Sequence, residues 1–197
     1  YGCTKGTPYK WVDLKALSQT VLGKSNIITK INLFAAIVKP TPKDPNVHLR
    51  QTTYFQALKA YIPEFELHLG HFLEHTVRMP LANPRKGTDH FPEVIKREEK
   101  GSDVNLAVHF LNDAWLNNYE CGVIISNDSD LVEAVKLVRK QTRKKIGIIS
   151  PFPQISKELK EYSHFQRKIR ESALKQCQLP DQIPGTKLKK PDAWQQI

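Results

Sequence analysis

CGVIISNDSDLVEAVKLVR, residues 121–139, joins a short apolar run to an amphipathic segment through a turn that carries two carboxylates. Cys121, Val123, Ile124 and Ile125 form a continuous apolar stretch of the kind found in strands covered on both faces of a parallel sheet. Asn127, Asp128 and Ser129 are turn and cap residues, and the apolar spacing of Leu131, Val135, Leu137 and Val138 predicts a helix starting near Asp128 or Ser129. Asp128 and Asp130 then stand at the carboxyl end of a strand, where ligands bind in open α/β sheets. A cap needs one acid at most, and the helix dipole accounts for it. Two acids two residues apart point to a bound cation.

A second segment supports that expectation. In KREEKGSDVNLAVHF, residues 96–110, Gly101 and Ser102 interrupt the chain before a helix with Val104, Leu106, Ala107, Phe110 and Leu111 as its apolar positions. Ser102 or Asp103 is expected to cap it. A doubly wound topology can bring Asp103 to the same sheet edge as Asp128 and Asp130. Three carboxylates there would repel unless protons or a cation compensated them, and all-oxygen ligation favours Mg²⁺ or Mn²⁺ over zinc.

The pair EKGSDVNLA (residues 99–107) and VIISNDSDL (residues 123–131) resembles the NYN domain family, a branch of the PIN-like metal-dependent nucleases. KGTPYKWVDL (residues 5–14), HFLEHTVRMPL (residues 71–81), residues 146–151 and the tail around Leu179, Pro180 and Pro191 to Trp194 resemble one bacterial subgroup of it. The resemblance implies an α/β fold: a three-layer Rossmann-like (PIN-like), mostly parallel sheet with helices on both faces. It also implies a ribonuclease that uses Mg²⁺ or Mn²⁺ to hydrolyse RNA phosphodiesters. Residue by residue, Asp103, Asp128 and Asp130 match the family's acids as catalytic and metal-binding groups, with Lys100 at the rim and Ser126 and Asn127 orienting carboxylates or water. The family's opening strand, ending in an Asp-Gly-x-Asn type motif with the first acid, has no counterpart from Tyr1 onward. The sheet is therefore expected to lack its first central strand, and these residues alone to be poorly folded and weakly active.

The wider sequence agrees. A chain of 197 residues can bury one sizeable core. Residues 1–170 are expected to form the NYN/PIN-like domain, and residues 171–197 a basic, Pro-containing tail packed on the surface or partly disordered. No apolar run reaches the length of a membrane span, and the start lacks a signal-peptide pattern. Cys3, Cys121 and Cys177 are few and widely spaced, which fits a reduced cytoplasmic setting. The net charge of +10 is concentrated late. Lys136, Arg139, Lys140, Arg143 and Lys144 are the candidate RNA contacts, followed by Arg167, Lys168 and Arg170 and by Lys187, Lys189 and Lys190. A solvated helix face explains such charges as well. The same holds for core packing of Phe152, Tyr162 and Phe165, which otherwise could stack on bases.

Elsewhere the pattern predicts a helix over residues 11–22, a strand over 27–38, a Pro-rich loop, a helix over 47–61, and a strand over 64–77 extended into a hairpin with 91–95. Residues 145–149 read as a further strand, and 156–162 and 171–178 as short helices. Gly23-Lys24-Ser25 lacks the first glycine of a phosphate-binding loop. His68, His71 and His75 have no nearby Cys to complete a structural zinc site, and no nucleophile elbow is present. Two rivals stay open: a Toprim-like or phosphatase-like phosphoryl-transfer site, and a non-catalytic RNA-binding or regulatory module. RNA is the expected partner, and assembly into a homo-oligomer is compatible with this reading.

Overall fold

A computed structural model describes Thr4 and residues 6–195; Tyr1, Cys3 and Lys5, used in the sequence reading, lie outside the described residues. Helix α1 (Leu14–Leu22) begins where Asp13 accepts hydrogen bonds from the amides of Lys15 and Ala16, both at 2.9 Å. Strand β1 (Ile31–Ala35) is shorter than the β-branched run from Ile27 predicts, because Ile27 is 87 % exposed and packs on nothing that would hold it in a ladder. Helix α2 (Val47–Tyr61) leads into β2 (Phe65–Leu69), which pairs parallel with β1. Trp11, Ala57, Leu58, Ile62 and Phe65 form the core on one face of this pair.

At Gly70 the chain leaves the sheet as an antiparallel hairpin, β3 (His71–Arg78) and β4 (Glu93–Lys100). The sequence alternation reads as one strand because Gly70 is the only break in it. The hairpin is mostly exposed, and Arg97 holds Glu74 across it at 2.6 Å. It returns to Gly101 and α3 (Ser102–Trp115). Contrary to the expected side-chain cap, Gly101 occupies the N-cap position with φ of 94°, a conformation that favours glycine. The Ser102 hydroxyl is turned to the Glu99 carboxylate instead.

A second parallel sheet holds β5 (Cys121–Ile125), β6 (Lys145–Ser150) and β7 (Phe165–Lys168) in that order. Between them run α4 (Val132–Gln141), which follows a single 3-10 turn at Ser129–Leu131, and α5 (Lys157–Tyr162); α6 (Glu171–Gln176) follows β7. The four-residue β7 has no alternating signal, so the sequence alone does not reveal it. Strand β6 has neighbours on both sides, and Ile146 and Ile148 are fully buried, worth roughly 1.5–3 kcal/mol each. Strand β5 has one neighbour among the described residues, and it is not covered throughout as expected: Ile125 is 42 % exposed.

The architecture is thus α/β with mostly parallel sheets, as the sequence leads one to expect. Helix α3 joins the two parallel sheets: Phe110 and Ala114 pack with Ile124 of β5, while His109 lies 5.4 Å from Phe34 and 4.2 Å from His68 by ring centroid. Strands β1 and β5 each have a single hydrogen-bonded neighbour among the described residues. Residues after 176 are sewn to the start of the chain. Trp11 donates from its indole to the Pro180 carbonyl at 2.8 Å, and Leu179 and Ile183 are buried beside it.

Gly122 in β5 lies under two rings, and an added Cβ would stand 2.8 Å from Tyr119. Gly122→Ala is expected to destabilise the protein by roughly 1–3 kcal/mol. Urea unfolding reads this as a lower midpoint with an unchanged slope.

Candidate functional site

The acids come from two helix starts. Gly101 turns the chain so that Asp103 falls in the first turn of α3, while Asp128 caps the 3-10 turn and accepts from the Asp130 amide at 3.0 Å. The turn itself is braced. Ser126 accepts from the Asp128 amide at 3.1 Å, and Asn127 accepts from the Ser156 amide at 2.7 Å, tying the end of β5 to the start of α5. Ser126 therefore positions Asp128 through its backbone. Asn127 spends its side-chain oxygen on that tie, which leaves its amide nitrogen as the group that can donate to a carboxylate or water.

Asp103, Asp128 and Asp130 are brought into electrostatic contact. Partial desolvation, then the charges of Asp128, Glu99 and Asp130, push the Asp103 carboxyl above its ordinary range. Asp103 is exposed as a whole residue, so both effects are softened by solvent. Glu99, which the sequence reading passed over, joins the cluster because it is three residues from Ser102 and shares its hydroxyl. Carboxylate oxygens suit a hard divalent cation. Among the described residues, however, no three His, Cys, Asp or Glu side chains stand in ligating geometry, so the cluster is an open arrangement and not a closed cage.

The cations divide by position. Lys100 is at the base of the hairpin, where its amine pairs with Glu98 at 3.2 Å. Helix α4 begins beside the acids and runs back for ten residues, about 15 Å, to the opposite end of the sheet. Register confirms this, since Lys145 pairs with Cys121, the first residue of β5. Lys136 is halfway, holding Glu133 at 2.9 Å; Arg139, Lys140, Arg143 and Lys144 lie toward the far end, where Lys144 meets Asn117 and the Tyr119 ring. Arg167 and Lys168 instead end β7 and Arg170 follows it, at the acid-bearing edge. Sequence reasoning treated them as part of a diffuse field because β7, which fixes their place, was not legible.

No helix among the described residues is long and apolar enough to cross a membrane. Cys121 and Cys177 are free thiols.

Comparison with known proteins gives three findings. The NYN domain model matches residues 73–167. A Pseudomonas putida protein, 6-hydroxy-3-succinoylpyridine 3-monooxygenase HspA, is 30 % identical over 223 aligned positions, covering 98 % of this chain and 71 % of that protein. A Vibrio parahaemolyticus protein of unknown function has a similar solved fold, with a TM-score of 0.54, 16 % identity, and coverage of 86 % of this chain and 85 % of the other.

Because the Asp103 carboxyl binds its proton more tightly folded than unfolded, its contribution favours folding at acid pH. That contribution declines as pH rises through the ordinary carboxylate range to the raised folded value. In metal-free buffer at neutral pH, Asp103→Asn is expected to raise the melting temperature by roughly 1 °C. The gain should vanish near pH 3, where parent and variant are both neutral at this position; calorimetry across pH checks it.

Proposed function

The chain belongs to the NYN domain family, and on that footing we propose that it is a metal-dependent ribonuclease hydrolysing RNA phosphodiester bonds. The observation that carries this reading is the gathering of Asp103, Asp128 and Asp130 from two helix starts at one sheet edge, with partial desolvation and then like charges raising the Asp103 carboxyl. Such a cluster is poised for a cation. Asp103, Asp128 and Asp130 would hold Mg²⁺ or Mn²⁺, which when bound supplies Lewis-acid activation of water and neutralises charge on the phosphate.

The protein's own groups do the positioning. Ser126 fixes the Asp128 backbone, and Asn127 anchors the turn to α5 so that the carboxylates keep their places without a ligand. Lys100, held at the rim by Glu98, is the near contact for a phosphate oxygen. Lys136, Arg139 and Lys140 of α4, and Arg143 and Lys144 after it, would contact RNA away from the reacting phosphate.

A second reading has one observation behind it: the relative spanning 98 % of this chain is named a monooxygenase. The two are separable. The ribonuclease is expected to cleave a labelled single-stranded RNA in Mn²⁺, and Asp128→Asn to reduce the rate by at least about 100-fold with folding intact. A purified variant as active as the parent would remove Asp128 from the chemistry. Oxygen consumption with 6-hydroxy-3-succinoylpyridine and a reductant, with RNA untouched, would favour the second reading.

A further inference from the structure

The acid-bearing edge of the β5–β6–β7 sheet continues past the acids. Parallel pairing puts Ile125, Ile149 and Arg167 at one level, so the exits of the three strands lie side by side. Strand β5 ends in the Ser126 to Asp130 turn, β6 in Pro151 and Phe152, and β7 in Ile169 and Arg170. At about 4.8 Å per strand, β7 is about 10 Å from β5, roughly three stacked nucleotides at about 3.4 Å each.

The middle and far exits are held by one buried residue. Ser150 is fully buried, its hydroxyl accepts from the Phe152 amide at 3.1 Å and lies within hydrogen-bonding distance of the Phe152 and Gln154 carbonyls, and its carbonyl accepts from the Ile169 amide at 3.1 Å. The Phe152 ring is nevertheless 48 % exposed. It borders an open cleft of about 450 Å³ whose wall includes Pro151, Pro153, Lys168 and Arg170. On the other side of Lys168 and Arg170 is a second cleft of about 320 Å³, closed by Arg167, Thr20 of α1, and Ser172 and Gln176 of α6.

Among the described residues, Arg167, Lys168 and Arg170 form no ion pair, whereas Lys100 and Lys136 do. Glu171 lines the Phe152 cleft without pairing to either neighbour. Three cations left without carboxylates, beside hydroxyl and amide donors, form a site for an anion. The exposed ring one strand nearer the acids adds a platform for a base.

We propose that the carboxyl edge of this sheet is a track for single-stranded RNA: one base stacks on Phe152, and the backbone phosphate beyond it sits in the cleft of Arg167, Lys168 and Arg170. The proposal rests on the ribonuclease reading and gives it a direction, since the strand runs from the acids across β6 to β7 and not down α4.

The test is the binding of a fluorescein-labelled oligouridylate of about ten nucleotides to the full chain in EDTA, by anisotropy over a range of salt. Lys168→Gln with Arg170→Gln keeps most of the aliphatic stems and is expected to weaken binding roughly tenfold. It should also flatten the log Kd against log salt slope by about 1.4, two single-strand contacts at about 0.7 each. Phe152→Ala should weaken binding about tenfold and leave the slope alone. Arg139→Gln with Arg143→Gln should cost less than either. Circular dichroism confirms that each variant is folded.

Equal affinity and slope in the Lys168/Arg170 variant and the parent overturn the cleft, and so does a larger loss in the α4 variant. Displacement of the RNA by oligoglutamate at equal charge overturns phosphate recognition in favour of an acidic protein partner. Cleavage in Mn²⁺ by the parent is scored separately. A cleft variant that loses affinity while the parent leaves RNA intact supports the track and refutes the ribonuclease alone.

Discussion

The packing of α3 is the contact on which the rest depends. Phe110 and Ala114 meet β5 on one side, and His109 meets Phe34 and His68 on the other, so a single helix joins the two parallel sheets and sets their spacing. Its first turn carries Asp103. A shift of α3 that repacked Phe110 would therefore move an acid relative to Asp128 as well as weaken the core. Fold and site are coupled because interiors are packed too densely to absorb such a displacement locally.

The distribution of charge follows from chain direction more than from composition. A helix returning between parallel strands must run against them, so cations late in α4 or just after it are carried away from the acids that precede it, whatever their closeness in sequence. Cations at or after the end of a strand are carried toward them. That distinction separates Arg139 and Arg143 from Lys168 and Arg170, four residues of the same charge with different access to the edge.

Much of this was readable from residue order. The α2 boundaries, the helix after Gly101, strand β5 and the acidic turn each have strong periodicity or cap chemistry, and they form where expected. Other features were hidden for specific reasons. Strand β7, FQRK, has one apolar side chain and no alternation. Gly101 as an N-cap, with Ser102 diverted to Glu99, depends on a backbone conformation that no pattern announces. The burial of Leu179 and Ile183 against Trp11 joins positions at opposite ends of the chain, which local reading treats as a tail. The acids themselves were legible. Their neighbours Glu99, Lys168 and Arg170 became meaningful only with strand order.

The β3–β4 hairpin leaves the body of the protein at Gly70 and returns at Gly101, and a Cβ built on Gly101 would stand 3.9 Å from the Gly70 Cα. Departure and return thus share one point, and the whole excursion is closed by its own ladder from His71–Lys100 to Arg78–Glu93. In terms of chain wiring the arm is a detachable loop. Its length can change through the tip without altering any strand's neighbour, yet its root is the last turn before Asp103, so whatever grips the arm has a handle on the acid-bearing edge.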